Sequence, residues 1–366
     1  MNKNQIDSTQ LATLVFTVLS GEKLLQVPSL LAKDVGHDSW IVVLCLFVAD
    51  AICMCLCLWA VKINLKHRLT FGTILQKTVT RVGKFVVLAL FFALFVCRIL
   101  TLCVSSYKMF ATTFDISTDW TLFVALVAIV CYVAICLGFN AIARTSQLLF
   151  PLMFLSVLTL LVFPATQVPI SQLLPIGEAG VENIAKSAFS RSFWFGDYVV
   201  VYFLMEHVQP KNNKLFAPVL TTFAVGALLV VAVNVIFVCL FGSLAQNSAI
   251  AISKISLFSV ADSSNGRWDW LTLSVWLMSV LVKVVVFFFC AYRCVQEVLG
   301  LHFSKTSLPV VLAIALPLLV PLFVSSEDVV AKFVTWCTIP FAIVLYVLPF
   351  AMPLLATIAN KKEANP

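Results

Sequence analysis

Charge is what this sequence has least of. Only 11% of its 366 residues are Asp, Glu, Lys or Arg, while 61% are hydrophobic. That balance places the chain among polytopic membrane proteins and excludes a water-soluble reading, although the length alone would allow two or three soluble domains. Histidine is sparse too, four residues with no cluster among them. The twelve cysteines all fall inside apolar runs, with no paired loop positions. They read as small buried hydrophobes and not as disulfides or metal ligands. The chain lacks a phosphate loop, a catalytic triad and a metal-spaced cluster, so no enzyme is expected and no cofactor is implied. A single basic residue, Lys3, precedes the first apolar run, and no small-residue cleavage pattern follows it. A cleaved signal peptide is therefore not expected.

What is there is a succession of apolar runs. A membrane-spanning helix needs about 20 apolar residues, and by that measure there are ten segments, near 9–33, 39–61, 85–110, 119–138, 142–163, 184–207, 215–241, 268–294, 306–324 and 331–358. The stretch between the second and third is the most basic, with Lys62, Lys66, Arg68, Lys77, Arg81 and Lys84 and no acid among them. It is expected on the cytoplasmic side. Arg144, Lys211, Lys214, Arg293, Lys305, Lys361 and Lys362 then fall inside as well. The loops with Asp115, Asp119, Glu178, Glu182, Glu327 and Asp328 fall outside, and both termini are cytoplasmic. The outer connections 164–183 and 242–267 hold short amphipathic runs, Val181–Ile184 and Ile250–Ser253, expected to lie on the outer face. Prolines at 151, 317, 321, 340, 349 and 353 read as kinks packed against neighbouring helices.

Two segments are interrupted. The first carries Leu19-Ser20-Gly21-Glu22-Lys23-Leu24-Leu25-Gln26-Val27-Pro28, a glycine, two opposite charges and a proline at membrane depth. The sixth carries Ser190-Arg191-Ser192-Phe193-Trp194-Phe195-Gly196-Asp197. A helix breaks inside the bilayer only where it is buried in protein or lines a cavity. Matching breaks five helices apart are what a five-plus-five inverted repeat produces, and they point to a transporter-type site. Repeat one would run over about 9–163 and repeat two over about 184–324, with the segment at 331–358 completing the ten in a single transmembrane domain.

The other buried charges obey the same symmetry. Arg98 is central in segment three, Lys283 in segment eight, and Asp50 in segment two. Each costs at least about 2.5–3.5 kcal/mol at the bilayer centre, so each needs a partner. Glu22, Lys23, Arg98, Asp197 and Lys283 either pair among themselves as structural ion pairs or face a ligand. Phe193, Trp194 and Phe195 either pack ordinarily or form the gate or floor of a pocket. The candidate ligand-binding set is Ser20, Gly21, Glu22, Lys23, Arg98, Trp194, Phe195, Gly196, Asp197 and Lys283.

These residues and their flanks resemble the B-subunit family of spore germination receptors, the spore permeases, within the amino acid, polyamine and organocation superfamily. Four stretches carry the resemblance: Gln26 to Trp40, Ala141 to Leu152, Leu173-Leu174-Pro175-Ile176, and Phe195-Gly196-Asp197 with its apolar continuation. Trp276 and Lys283 in segment eight also look like the family's pattern. The resemblance implies an all-α, ten-helix, LeuT-like inverted-repeat transporter fold with helices one and six broken. It also implies a germinant-sensing subunit in the spore inner membrane that binds a small molecule such as an amino acid and works with an A subunit and a lipoprotein C subunit. The family usually carries Gly-x-Gly before the helix-one proline. Here Gly21 matches the first glycine and Lys23 stands at the second, where it could fill the amine position of an amino acid or supply a charge for an anionic ligand. Two other functions stay open at this point: an amino acid permease, proton-coupled or ion-independent, and a scaffolding subunit without a ligand site.

Overall fold

The computed structural model describes residues 5–114, 120–162, 164–209, 214–247, 251, 255, 269–299 and 327–364. Among these the protein is all-helical with one isolated backbone bridge, Ile6 to Val208. The helices are α1 (Ser8–Lys23), α2 (Val27–Val35), α3 (Ser39–Asn64), α4 (Phe71–Thr78), α5 (Arg81–Phe114), α6 (Trp120–Leu137), α7 (Phe139–Val162), α8 (Gly180–Ser190), α9 (Val200–Leu204), α10 (Phe216–Phe241) and α11 (Asp269–Leu299). The last span is made of α12 (Glu327–Trp336), α13 (Thr338–Ala342), a π-helical turn Ile343–Val347 and α14 (Leu348–Ala364). Seven helices of the described residues are long and apolar enough to cross a membrane, and Ser8–Gly21 is a shorter apolar one. The expected ninth segment, 306–324, lies outside the described residues, as do Asp115, Asp119, Lys211, Lys305 and the run Ile250–Ser253 except Ala251.

Helix α1 lies at the centre, packed on α10, α7 and α11. Leu11, Leu14, Phe16, Val18 and Leu19 are all buried, as expected for a helix that is apolar around its whole circumference. Its hydroxyls do not disturb this burial. Thr13 donates to the Gln10 carbonyl at 3.0 Å, Thr17 to that of Thr13 at 3.0 Å and Ser20 to that of Phe16 at 2.8 Å, so each is satisfied within the helix.

Both broken segments differ in detail from the sequence expectation. Ser20 and Gly21 stay helical, and the break in the first segment is the turn at Leu24–Gln26. Pro28 falls in the first turn of α2, where its missing N–H costs no hydrogen bond. In segment six, α8 and α9 are separated by residues 191–199, with two short 3-10 turns at Ser192–Trp194 and Asp197–Val199. The run Val181–Ile184, expected as a separate helix on the outer face, is the first turn of α8 itself.

The ends of the bundle are tied together. At one end Arg191 donates to both oxygens of Asp34, at 2.7 and 2.8 Å, and the Asp38 carboxylate accepts the amides of Gly177 and Ala179 at 2.8 and 2.9 Å. At the other end the Ile6 amide donates to the His207 carbonyl at 2.9 Å, Arg293 pairs with Glu206, and Lys77 pairs with Glu363. These contacts join the N-terminus, the end of segment six, α11, α4 and the C-terminal helix. Below the centre, Phe203 packs against Phe71, Phe91 and Phe95 with ring centroids 5.1–5.4 Å apart. Such aromatic pairs contribute about 0.5–1.5 kcal/mol each beyond area burial.

Candidate functional site

A helix broken in hydrocarbon leaves backbone donors and acceptors without intrahelical partners, and each must be satisfied locally. In segment six the side chains do this. Arg98, from the middle of α5, donates through Nη2 to the Phe193 carbonyl at 2.6 Å and also to the Phe195 carbonyl. Gly196 adopts a left-handed conformation, φ 77°, and its amide points to Asp50 of α3, 3.1 and 2.9 Å from the two carboxylate oxygens. Tyr346, in the π-helical turn, donates to Asp50 at 3.2 Å, and Tyr198 donates to the Leu345 carbonyl. The wide turn at Ile343–Val347 therefore supports the break as well. A Cβ added at Gly196 would lie 2.7 Å from Leu345 Cδ2.

Asp197 is the focus of the charges. Its Oδ1 accepts from Arg98 Nη1 at 2.7 Å, and its Oδ2 accepts from Lys283 Nζ at 3.2 Å and from Lys23 Nζ. The three cations come from α5, α11 and α1, and all are fully buried. Lys23 is the last residue of α1 and also donates to the Leu19 carbonyl at 3.4 Å, a favourable place for a cation at a helix C-terminus. Gly21 admits Lys283, because a Cβ there would stand 3.1 Å from Lys283 Cδ. It permits close packing of α1 on α11.

The aromatic rings complete the cluster. Lys23 Nζ lies 5.1 Å from the Phe195 ring and 5.8 Å from that of Phe47, Arg98 lies 5.6 Å from Phe193 and Phe287, and Lys283 Nζ lies 5.3 Å from Phe287. All are within cation–π range. Beside Asp197 and Asp50 there remains a cavity of about 10 Å³, bounded by Leu14, Val18, Tyr198 and Phe223, room for about one water molecule. A larger crevice of about 440 Å³ lies beyond Tyr346, between α3, α8 and the last span. Its walls, including Cys45, Phe189, Ile343 and Val347, are apolar, so it does not share the charged chemistry of the centre.

Of the ten candidates, the structure brings Gly21, Lys23, Arg98, Phe195, Gly196, Asp197 and Lys283 together. Ser20 turns its hydroxyl back onto its own helix. Trp194 packs edge-on against Phe193, centroids 5.6 Å apart, and is only partly buried. The Glu22 side chain lies outside the described residues. Sequence reasoning left several members out of the set, among them Phe193 and Phe287 and three more. Asp50 was visible as a central charge, Phe47 lies one turn before it, and Tyr346 had only the flanking prolines at 340 and 349 as a signal.

The family model for spore germination proteins, the spore permeases, matches residues 5–351. The chain belongs to this family. No curated protein sequence matches it. Among solved structures it is similar to Mhp1, a nucleobase-cation-symport-1 family transporter in a closed conformation with bromovinylhydantoin bound. That similarity has a TM-score of 0.68 at 13% identity over 96% of this chain and 78% of that one. A Na+-coupled sialic acid symporter matches with a TM-score of 0.63 at 10% identity, over 97% and 88% of the two chains. A manganese transporter of Eremococcus coleocola matches at 0.55 and 13%, over 97% and 86%. The protein thus has the inverted-repeat transporter fold with broken helices one and six, and it is an integral membrane protein of transporter-like architecture. The named cargoes of these neighbours differ widely, so the fold does not choose the ligand.

Proposed function

We propose that this spore germination protein is the ligand-sensing membrane subunit of a germination receptor. In this reading it binds a small polar molecule such as an amino acid at the Asp197 cluster and passes the change to an A subunit and a lipoprotein C subunit. The single observation that carries the reading is the convergence of Lys23, Arg98 and Lys283, from three different helices, on one carboxylate in the break of segment six. Any polar group that competes for one of these contacts changes how α1, α5 and α11 are held against α9. Arg98 Nε adds a buried donor with no partner among the described residues, at the place where such a group would arrive. A ligand shifts a two-state equilibrium only by its differential affinity for the two states, and a cluster that joins three helices to the break supplies that difference.

Residues 9–163 and 184–324 form the two repeats of one domain in this reading, with both termini cytoplasmic and the spore inner membrane as the location. The test is a thermal-stabilisation screen of small polar molecules on the purified chain, followed by the same screen on Asp197→Asn. A ligand that stabilises the parent chain and not the variant supports the site. An equal shift in both overturns it.

A second reading, an amino acid permease that is proton-coupled or ion-independent, is favoured by one contact. Lys283 of α11 lies against Gly21 of α1 with its ammonium on Asp197, a fixed positive charge between two helices that move relative to each other in alternating access. Uptake of labelled amino acids into proteoliposomes separates the two. Gradient-dependent accumulation by this chain alone would establish transport, and binding without accumulation would support sensing.

A further inference from the structure

Lys23 is treated differently by its surroundings from the other two cations on Asp197. Arg98 is committed to the carbonyls of Phe193 and Phe195, where it caps the broken backbone. Lys283 lies over Phe287. Only the ammonium of Lys23 lies over both Phe195 and Phe47, at 5.1 and 5.8 Å, and these rings meet edge-to-face with centroids 5.2 Å apart. The Asp197 carboxylate and the Leu19 carbonyl, the latter at 3.4 Å, close the enclosure.

A carboxylate, a carbonyl oxygen and two aromatic faces suit an alkylammonium group: acceptors for two of its three donors and π-faces for its charge. The walls with aromatic and carboxylate chemistry come from α3 and from the break in segment six. None of them belongs to α1, which carries the lysine.

We infer that this enclosure is a primary-ammonium site whose occupant is the protein's own Lys23, held as a tethered ligand. The adjoining space of about 10 Å³ holds no second ammonium with its carbon chain while Lys23 is in place. Given the reading of the Asp197 cluster as a ligand site, on which this consequence rests, a molecule admitted from outside, an amino acid included, does not seat its ammonium in this enclosure. It is recognised through its other polar groups by Arg98 and Lys283. The enclosure itself does not depend on that reading.

Shortening Lys23 should open the enclosure to an amine supplied from solution. The probe is n-butylammonium chloride, with sodium butyrate as the control of opposite charge, and the measurement is thermal unfolding of the purified full-length chain. Lys23→Ala is expected to melt below the parent and to show a saturable rise of about 2–4 °C with n-butylammonium, the size that a ligand binding only the folded state produces. The parent and Lys23→Met, which keeps the enclosure filled with an unbranched chain, are expected not to respond, and butyrate is expected to act on none of the three.

Where Lys23→Ala cannot be purified alone, growth and purification with n-butylammonium present should recover monodisperse protein. No amine-dependent recovery would overturn the inference. So would a melting point of Lys23→Ala indifferent to the amine, or an equal rise in Lys23→Met. Failure of every candidate ligand to stabilise the parent chain would count against the sensing reading alone, because amine rescue of Lys23→Ala does not require that reading.

Discussion

Replacing Asp197 by Asn removes the carboxylate on which Lys23, Arg98 and Lys283 converge, while leaving the shape of the side chain almost unchanged. Lys23, Arg98 and Lys283 are fully buried and Asp197 is 6% exposed, so water does not replace the lost carboxylate. Removing one partner of a buried ion pair costs about 3–5 kcal/mol, because the other charge is left uncompensated. For Asp197→Asn that loss is expected at the upper end, since three cations lose their shared carboxylate at once. Lys23→Met is expected to cost less, because Asp197 keeps Arg98 at 2.7 Å and Lys283 at 3.2 Å. The double variant Lys23→Met with Asp197→Asn is expected to be more stable than the sum of the two losses predicts, by about 0.5–3 kcal/mol, the range for residues in one network. The assay is reversible unfolding of the detergent-purified chain, followed by tryptophan fluorescence over a denaturant series. A loss below about 0.5 kcal/mol for Asp197→Asn, the level of an ordinary surface change, would refute the reasoning. Strict additivity in the double variant would refute it as well.

Other substitutions probe the supports of the same cluster. Gly21→Ala places a methyl 3.1 Å from Lys283 Cδ and is expected to cost about 1–3 kcal/mol by overpacking, read in the same unfolding assay, with Gly21→Leu worse because it displaces Lys283 altogether. Gly196→Ala combines a left-handed φ of 77° with a 2.7 Å approach to Leu345; about 1–3 kcal/mol is expected from the backbone alone, and pairing it with Leu345→Ala should not restore the parent stability, because the strain in φ remains. Tyr346→Phe removes one donor to Asp50 and is expected to cost about 0.5–1.5 kcal/mol, whereas Asp50→Ala, which also strands the Gly196 amide, should cost measurably more in the same melting series.

The breaks in segments one and six were legible because charges, glycines and prolines at membrane depth have few explanations. Their positions were less legible. Gly21 looked like the centre of the first break, but a glycine costs a helix interior only about 1 kcal/mol relative to Ala. The fully buried surroundings of α1 outweigh that, so the helix runs on to Lys23 and turns at Leu24–Gln26. Pro28 marks the start of α2 and not the end of α1. Arg98, Lys283 and Asp197 could be named as buried charges in need of partners, but nothing in their spacing shows that all three cations of the cluster share one acceptor. That depends on how α5 and α11 cross α1. Tyr346 was hidden for a different reason. Its orientation toward Asp50 depends on a single turn of i→i+5 bonding at Ile343–Val347, a local register shift that apolar periodicity does not encode.

The division of labour among the three cations follows from what each is joined to. Arg98 holds two carbonyls of the break, so it cannot move without stranding backbone acceptors. Lys283 is wedged against Gly21, so its position is tied to the contact between α1 and α11. Lys23 alone is anchored at the end of a helix next to a turn, with the aromatic and carboxylate walls around its ammonium supplied by other elements. A shift of α1 relative to α3 and α9 therefore withdraws Lys23 from its cage first, while Arg98 keeps segment six closed. Under the proposed sensing function, this makes the contact between Lys23 and Asp197 the step at which ligand binding and helix movement meet. Arg191 and Asp34, 28% and 24% exposed at one end of the bundle, are too well hydrated to dominate it, since exposed pairs are worth at most about 1 kcal/mol.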